Sequence, residues 1–359
     1  MVAMLVIAVA WPAASADAAS RKSTRHKAHK TVKTVKVTKQ ADGTQRVVRT
    51  RVITLRNGKR KVVRSVVFIE PAKPSLGQLA GLHGTHDPLD LKSSVALVLD
   101  QSTNEVLFSK NPGAVLPIAS ITKLMTAMVV LDAQQDMSQE LEITRDEIDT
   151  IKNTRSRLSI GTRLPRNELL HLALMSSENR AAHALCRNYP GGLDACIAAM
   201  NAKAKLLGMT DTEFHDPTGL TSLNRSSARD LAKLVNAAYA YPLIREYSTD
   251  TGTAVASASG RTLQYRNTNR LVSNPEWQIG LQKTGFINEA GECMVMQARV
   301  AGRSVIMVFL DSFGKLSRIG DAARVRRWLE RTYANERPAA EVSTEGTGGF
   351  TRPAVRVVS

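Results

Sequence analysis

Between about Ser93 and Tyr333 the chain is strand-like at both ends and helix-like in between, and that order limits the folds open to it. Val95-Ala96-Leu97-Val98-Leu99-Asp100 and Glu105-Val106-Leu107-Phe108 read as two strands around Gln101-Ser102-Thr103-Asn104. A helical block follows from about Ala119 to Ala240, and strand-like runs return at Gln278–Gly285, Cys293–Val300 and Ser304–Leu310. A helix over about Ile319–Tyr333 ends the body. Such an order predicts an α+β fold, an antiparallel sheet of about five strands whose termini come together, with a helical layer against it. Aromatics make up only 4% of the chain, so the core must be built from Leu, Val, Ile, Ala and Met. The 359 residues suffice for one large domain of about 250 residues with extensions, or for two ordinary domains.

The charge sorts these parts. Of the net +17, the segment Arg21–Arg64 carries +15, from 16 Lys or Arg against the single acid Asp42. The basicity therefore belongs to an N-terminal extension, residues 17–84, and says little about the main domain. Arg46 to Leu55 and Arg60 to Ile69 alternate in β fashion around Arg56-Asn57-Gly58-Lys59, a hairpin signal. Their faces are rich in Arg and Lys, so we expect a mostly disordered tether with at most one weak hairpin. A basic arm can bind nucleic acid. In an exported chain the expected contact is instead an anionic cell-wall polymer or lipid headgroup, or no partner at all. Export is suggested by apolar Met1–Trp11 and a small-x-small site, Ala14-Ser15-Ala16, so residues 1–16 read as a signal peptide. The basic flank of such signals is missing, and the true start could lie upstream. Residues 336–359 read as a disordered tail.

Cys186, Cys196 and Cys293 match no metal-site spacing. In an oxidising compartment Cys186 and Cys196 could pair across Tyr189-Pro190-Gly191-Gly192, while Cys293 reads as a buried small apolar residue in a strand. No cofactor is expected: Gly-x-Gly-x-x-Gly, His-Glu-x-x-His and Gly-x-Ser-x-Gly are all missing from the sequence.

The chemistry-bearing residues fall in three short motifs. In Pro117-Ile118-Ala119-Ser120-Ile121-Thr122-Lys123-Leu124-Met125, apolar residues at 121, 124, 125 and 128 follow helical spacing. Ser120 and Lys123 then share another face, with Ser120 in the first turn, where the helix dipole favours a developing oxyanion. A Lys one turn on can take the hydroxyl proton if its pKa is lowered. Alone, Ser-x-x-Lys arises by chance about once in a chain of this length. The second motif is Ser177-Glu178-Asn179, at a break between helices, where Ser and Asn could equally be caps. The third is Lys283-Thr284-Gly285 in a strand, where Gly can mark a close approach. The order and the spacings of 57 and 106 residues give the set its weight.

This set resembles the serine β-lactamase and penicillin-binding protein superfamily, over about residues 85–335. Leu207-Gly208-Met209-Thr210 through Gly219-Leu220, then Ser226-Ser227-Ala228-Arg229-Asp230-Leu231, is similar to the low-molecular-mass D-alanyl-D-alanine peptidases, of endopeptidase type. The resemblance implies a β-lactamase/transpeptidase-like fold, a bacterial periplasmic enzyme, and peptidoglycan peptide stems and β-lactams as ligands, with no nucleic acid partner. It implies that Ser120 attacks a D-alanyl carbonyl, that Lys123 accepts its proton and that Ser177 relays one to the leaving amine. Asn179 would hold Lys123 and a substrate amide, and Lys283 and Thr284 would bind carboxylate or carbonyl groups. The N–H groups of Ser120 and Phe286, beside Gly285, would form the oxyanion hole. Proximity of Lys283 could help keep Lys123 neutral.

Phe286 stands where carboxypeptidase relatives commonly carry His, and Thr268 where they carry a basic residue. Both favour an endopeptidase acting on cross-links over a carboxypeptidase acting on free termini. A class A β-lactamase would need a deacylating Glu about 34 residues after the middle motif; Glu213 has the spacing, but Glu213-Phe214-His215-Asp216-Pro217 is the wrong context. The remaining alternative is a non-catalytic cell-wall-binding protein.

Overall fold

The computed structural model describes residues 32–39, 45–54, 60–69 and 73–333, in two compact units divided after residue 72. The expected signal peptide, the Asn57-Gly58 turn and the tail over 336–359 lie outside the described residues.

The first unit holds three strands, β1 (Val32–Lys39), β2 (Gln45–Thr54) and β3 (Arg60–Ile69), paired antiparallel in the order β1-β2-β3. This goes beyond the single weak hairpin expected. Val recurs along all three strands, with Thr beside it in β1 and β2, and β-branched residues favour extended backbone and cross-strand packing. Pairing is continuous from Val32↔Val52 to Lys39↔Gln45 and from Gln45↔Ile69 to Thr54↔Arg60. Main-chain hydrogen bonding thus forms the sheet, although Val47 is the one apolar side chain described as buried there.

In the second unit a short helix α1 (Leu76–Leu79) precedes β4 (Ser93–Asp100) and β5 (Val106–Lys110). A two-residue strand β6 (Leu116–Pro117) leads into a 3₁₀ turn, Ala119–Thr122, and helix α2 (Lys123–Asp132). The block expected to be helical is interrupted at residues 133–165, which contain only β7 (Glu140–Glu142) and β8 (Arg163–Pro165), paired with each other, and a 3₁₀ turn. Helices α3 (Arg166–Met175), α4 (Asn179–Arg187) and α5 (Gly192–Leu206) follow, then β9 (Arg225–Ser226), α6 (Ala228–Tyr239) and α7 (Pro242–Thr249). A small hairpin, β10 (Gly252–Ala256) and β11 (Thr262–Arg266), precedes β12 (Gln278–Ile287), β13 (Gly291–Val300), β14 (Arg303–Ser312) and α8 (Ser317–Thr332).

The main sheet has five antiparallel strands in the order β12-β13-β14-β4-β5. Its N- and C-terminal strands meet at β14 and β4, with Val308 opposite Leu97. Side chains alternate across β4: Val95 and Leu97 pack toward α2 and α6, Ala96 and Val98 toward Ala322, Val325 and Leu329 of α8. The sheet is therefore covered on both faces, which is why β4 and β14 read as nearly unbroken apolar runs rather than alternating ones.

Cys186 on α4 and Cys196 on α5 form a disulfide, and Cys293 is free and buried in β13. Burial pushes the Cys293 thiol up to about 12, so it remains protonated. No helix among the described residues is long and apolar enough to cross a membrane.

Candidate active site

Ser120 does not sit in the first turn of an α-helix, as the spacing suggested. It lies in the 3₁₀ turn just ahead of α2, and Lys123 is the first residue of that helix. The turn is built around Ala119, held at φ 47°. Thr122 Oγ1 donates to the Ala119 carbonyl (2.8 Å), and Asn224 Nδ2 donates to Thr122 Oγ1 (3.0 Å). Two glycines let other backbones close on it. A Cβ on Gly219, itself at φ +80°, would fall 1.9 Å from the Ala119 carbonyl oxygen, and one on Gly285 would lie 3.0 Å from Ser120 N. The Gly of the third motif thus marks the close approach that a strand glycine can signal.

Lys123 is buried at 1% exposure, with Nζ 2.7 Å from Ser120 Oγ. It also donates to Asn179 Oδ1 (2.8 Å) and to the Thr218 carbonyl (2.7 Å). Burial lowers its pKa to about 7, against the opposing pull of Asp216 and Glu178. Burial, rather than the neighbouring Lys283, is thus the main cause of the shift anticipated for this amine.

Ser177, at φ 61°, is carried on the break between α3 and α4. Lys283 reaches across from β12, fully buried, and donates to Ser177 Oγ (2.8 Å) and to the Thr284 carbonyl (2.9 Å). Its pKa is driven well below the ordinary lysine value by burial first, then by the charges of Lys123 and Arg318. Thr284 Oγ1 donates to Thr268 Oγ1 (2.6 Å), joining the third motif to the Asn267-Thr268-Asn269 segment. Phe286 is 56% exposed at the edge of the site. The structure therefore brings Ser120, Lys123 and Asn179 into one hydrogen-bonded group and Ser177 and Lys283 into a second, close enough that the charge of Lys123 bears on Lys283, with Thr284, Gly285 and Phe286 along the adjoining strand.

Several supporting residues escaped the sequence reading. Asp216 accepts from Gly219 N (2.6 Å), Thr218 Oγ1 (2.7 Å) and Thr221 N (2.9 Å), folding the loop that aims the Thr218 carbonyl at Lys123. Asn224 pins the same loop through the N–H groups of His215 and Asp216. Asp-Pro-Thr-Gly is legible as a turn, but nothing in it names the lysine it serves. Arg318 of α8 pairs with Glu292 and donates to the Gly285 carbonyl (3.0 Å), fixing β12 from behind. Glu213 is exposed and paired with His215 (3.1 Å). A cavity of about 230 Å³ opens beside Asn179 and Thr218, with Ile148, Ile151 and Leu220 in its lining.

A buried amine near neutrality, touching a serine on a pre-shaped turn, can serve as the base for acyl transfer. The sequence profile of the D-alanyl-D-alanine carboxypeptidase family matches residues 83–314. The chain belongs to that family. This member of the serine peptidases is 50% identical over 252 residues to the D-alanyl-D-alanine endopeptidase of Pseudomonas aeruginosa, covering 70% of this chain and 81% of that protein. It is 47% identical over 255 residues to the D-alanyl-D-alanine endopeptidase of Escherichia coli, covering 71% and 82%. Among solved structures it is similar to the Streptomyces K15 DD-transpeptidase, at 25% identity and a TM-score of 0.63, covering 68% of this chain and 98% of that one. The β-lactamase/transpeptidase-like fold expected from the three motifs is the fold observed.

Proposed function

We propose that this family member is a D-alanyl-D-alanine endopeptidase that hydrolyses peptidoglycan cross-links through an acyl-enzyme on Ser120. The observation that carries the proposal is the buried Lys123 amine, at a pKa of about 7 and 2.7 Å from Ser120 Oγ. Neutral Lys123 takes the hydroxyl proton as Ser120 Oγ bonds to the D-alanyl carbonyl carbon. The carbonyl oxygen becomes an oxyanion, held by the N–H groups of Ser120 and Phe286. Collapse breaks the C–N bond; the proton passes through Ser177 to the leaving amine. Water then attacks the ester, giving its proton to Lys123, and Ser120 leaves with a proton restored. Lys283 and Thr284 orient the substrate, which lies antiparallel along β12 as an added strand. A β-lactam enters the same first step and forms a stable ester on Ser120.

Phe286 and Thr268 support the endopeptidase reading, since neither offers a charge to a free terminal carboxylate. The names of the two relatives at 47–50% identity point the same way. A carboxypeptidase is the second reading, favoured by the name of the matching family. The proposal places the enzyme in the periplasm after removal of residues 1–16, with its basic arm against an anionic wall or membrane surface. Digestion of purified muropeptides tests the choice: loss of cross-linked dimers supports the endopeptidase, and loss of only terminal D-Ala from pentapeptides supports the carboxypeptidase. Labelling by a fluorescent penicillin that disappears in Ser120→Ala tests the acyl-enzyme, and an unlabelled wild type would overturn it.

A further inference from the structure

The cluster around Ser120 lies between two walls: the α4 side, with Ser177 and Asn179, and the β12 side, with Lys283 to Phe286. Residues 149–157 run along the α4 side as a strap. The Asp149 carboxylate folds it, accepting from the N–H groups of Ile151, Lys152 and Thr154. Thr154 Oγ1 accepts from Asn179 Nδ2 (3.3 Å), so the strap rests on the motif itself. At its far end the Arg157 guanidinium stacks 3.8 Å over the ring of Tyr265. At its near end Lys152 crosses the cleft and pairs with Glu289 at 2.6 Å, in the turn that joins β12 to β13.

The polarity of the substrate gives that crossing a meaning. A chain antiparallel to β12, with its scissile carbonyl at Phe286, directs its leaving group toward Lys283. Its acyl-donor stem points past Ile287, toward Glu289. A donor that extends more than a residue or two beyond the scissile bond meets the Lys152–Glu289 bridge. We infer that this ion pair is a gate across the acyl-donor end of the cleft, closed in the free enzyme and opened by a full-length donor stem. The inference rests on the proposed peptidase reading for its substrate, and on geometry for its position.

The parts are suited to opening. Both side chains are partly exposed, at 27% and 35%, and ion pairs so placed contribute little to stability. Both backbones are held, Glu289 by its carbonyl accepting from Leu76 N (2.9 Å) and the strap by Asn179 and Tyr265, so the two side chains are the parts that yield. Glu289 Oε2 is buried with no hydrogen-bond partner among the described residues, leaving an acceptor for a donor group of the incoming stem.

The test compares short and long donors on one enzyme. Lys152→Met, Glu289→Gln and the charge swap Lys152→Glu with Glu289→Lys are made in the full chain, with thermal unfolding confirming the fold. Acylation of Ser120 is followed with a penicillin lacking a peptide arm and with one extended by a three-residue arm; digestion of purified muropeptides is measured alongside. The single variants should accept the extended penicillin about two- to fivefold faster and the short one unchanged, the weight of one exposed ion pair. The swap, which rebuilds the bridge, should return the rate to that of the wild type. Single variants that slow the extended penicillin, leave it unchanged, or alter both probes alike would overturn the gate. Failure to cleave any muropeptide while the penicillin ratio moves as stated would overturn the peptidase reading and leave the gate standing.

Discussion

Lys123 and Lys283 are both buried, and each contacts a serine hydroxyl at 2.7–2.8 Å, yet their surroundings differ. Lys123 begins α2 and is met by the Thr218 carbonyl, Asn179 Oδ1 and the fields of Asp216 and Glu178, which partly offset its desolvation. Lys283 sits in a central position of β12 and faces two cations, Lys123 and Arg318, which add to its desolvation. One amine is thus tuned to neutrality near pH 7, where a base can both accept and release a proton. The other donates to a serine hydroxyl and a carbonyl, with no acid among the charges that shift it, and an anionic substrate group would supply one. The difference separates a reacting wall from a recognising wall.

The comparison is broken most sharply by deleting each amine in turn. Lys123→Ala should reduce acylation by a fluorescent penicillin about a thousandfold or more, the weight of a general base. Lys283→Ala should cost about a hundredfold, the weight of an oriented electrostatic donor. Equal losses would mean that both amines share one role. The pH profile distinguishes them further. Because the base form of Lys123 exists above its pKa of about 7, acylation should fall about tenfold per unit below pH 7 and level off above it. A profile flat from pH 5 to 8 would remove Lys123 from the base role.

Stability gives the next test. Below about pH 7 Lys123 is protonated in both folded and unfolded chains, and the cost of burying its charge is felt in full. Between about 7 and the ordinary value of 10.5 the unfolded chain holds more protons, so stability rises with pH through that window. Lys123→Met should therefore raise stability at neutral pH by on the order of 1–4 kcal/mol, as removal of a buried charge can, while abolishing acylation. It should also flatten, without abolishing, the rise of Tm from pH 7 to 10, because Lys283 contributes a rise of its own. A destabilised variant would show that the hydrogen bonds to Asn179 and Thr218 outweigh desolvation.

The sequence carried the sheet and the motifs because both are periodic or local signals. Leu97 and Val308 lie in apolar runs, and Ser120, Lys123, Ser177 and Lys283 in short fixed patterns. What it concealed depends on long-range placement. The turn that carries Ser120 is closely approached by Gly219 and Gly285, 100 and 166 residues beyond Ala119, where no Cβ would fit without a shift. Asp216 and Asn224 act through a loop whose composition signals only a turn. The second cover of the sheet, α8, answers the two-sided burial of β4, which a single helical layer does not provide. The three-stranded N-terminal sheet was underestimated because charge density outweighed the recurrence of Val and Thr.

The smallest expected effect concerns the recognising wall alone. Phe286 is exposed beside Gly285, and Thr268 bonds to Thr284, so both border the group that Lys283 meets without entering the Ser120–Lys123 pair. Phe286→His with Thr268→Arg supplies the charge that a free terminal carboxylate would seek. Release of D-Ala from pentapeptide should rise about three- to tenfold relative to dimer cleavage, the weight of one charged hydrogen bond on an exposed site. The pH midpoint of penicillin acylation should stay where Lys123 puts it. If the substrate ratio is unchanged, Phe286 and Thr268 do not set the choice between terminus and cross-link. If instead the acylation midpoint moves together with the ratio, the two walls are electrostatically one site, because a charge placed beside Lys283 then reaches Lys123 through the same buried cluster.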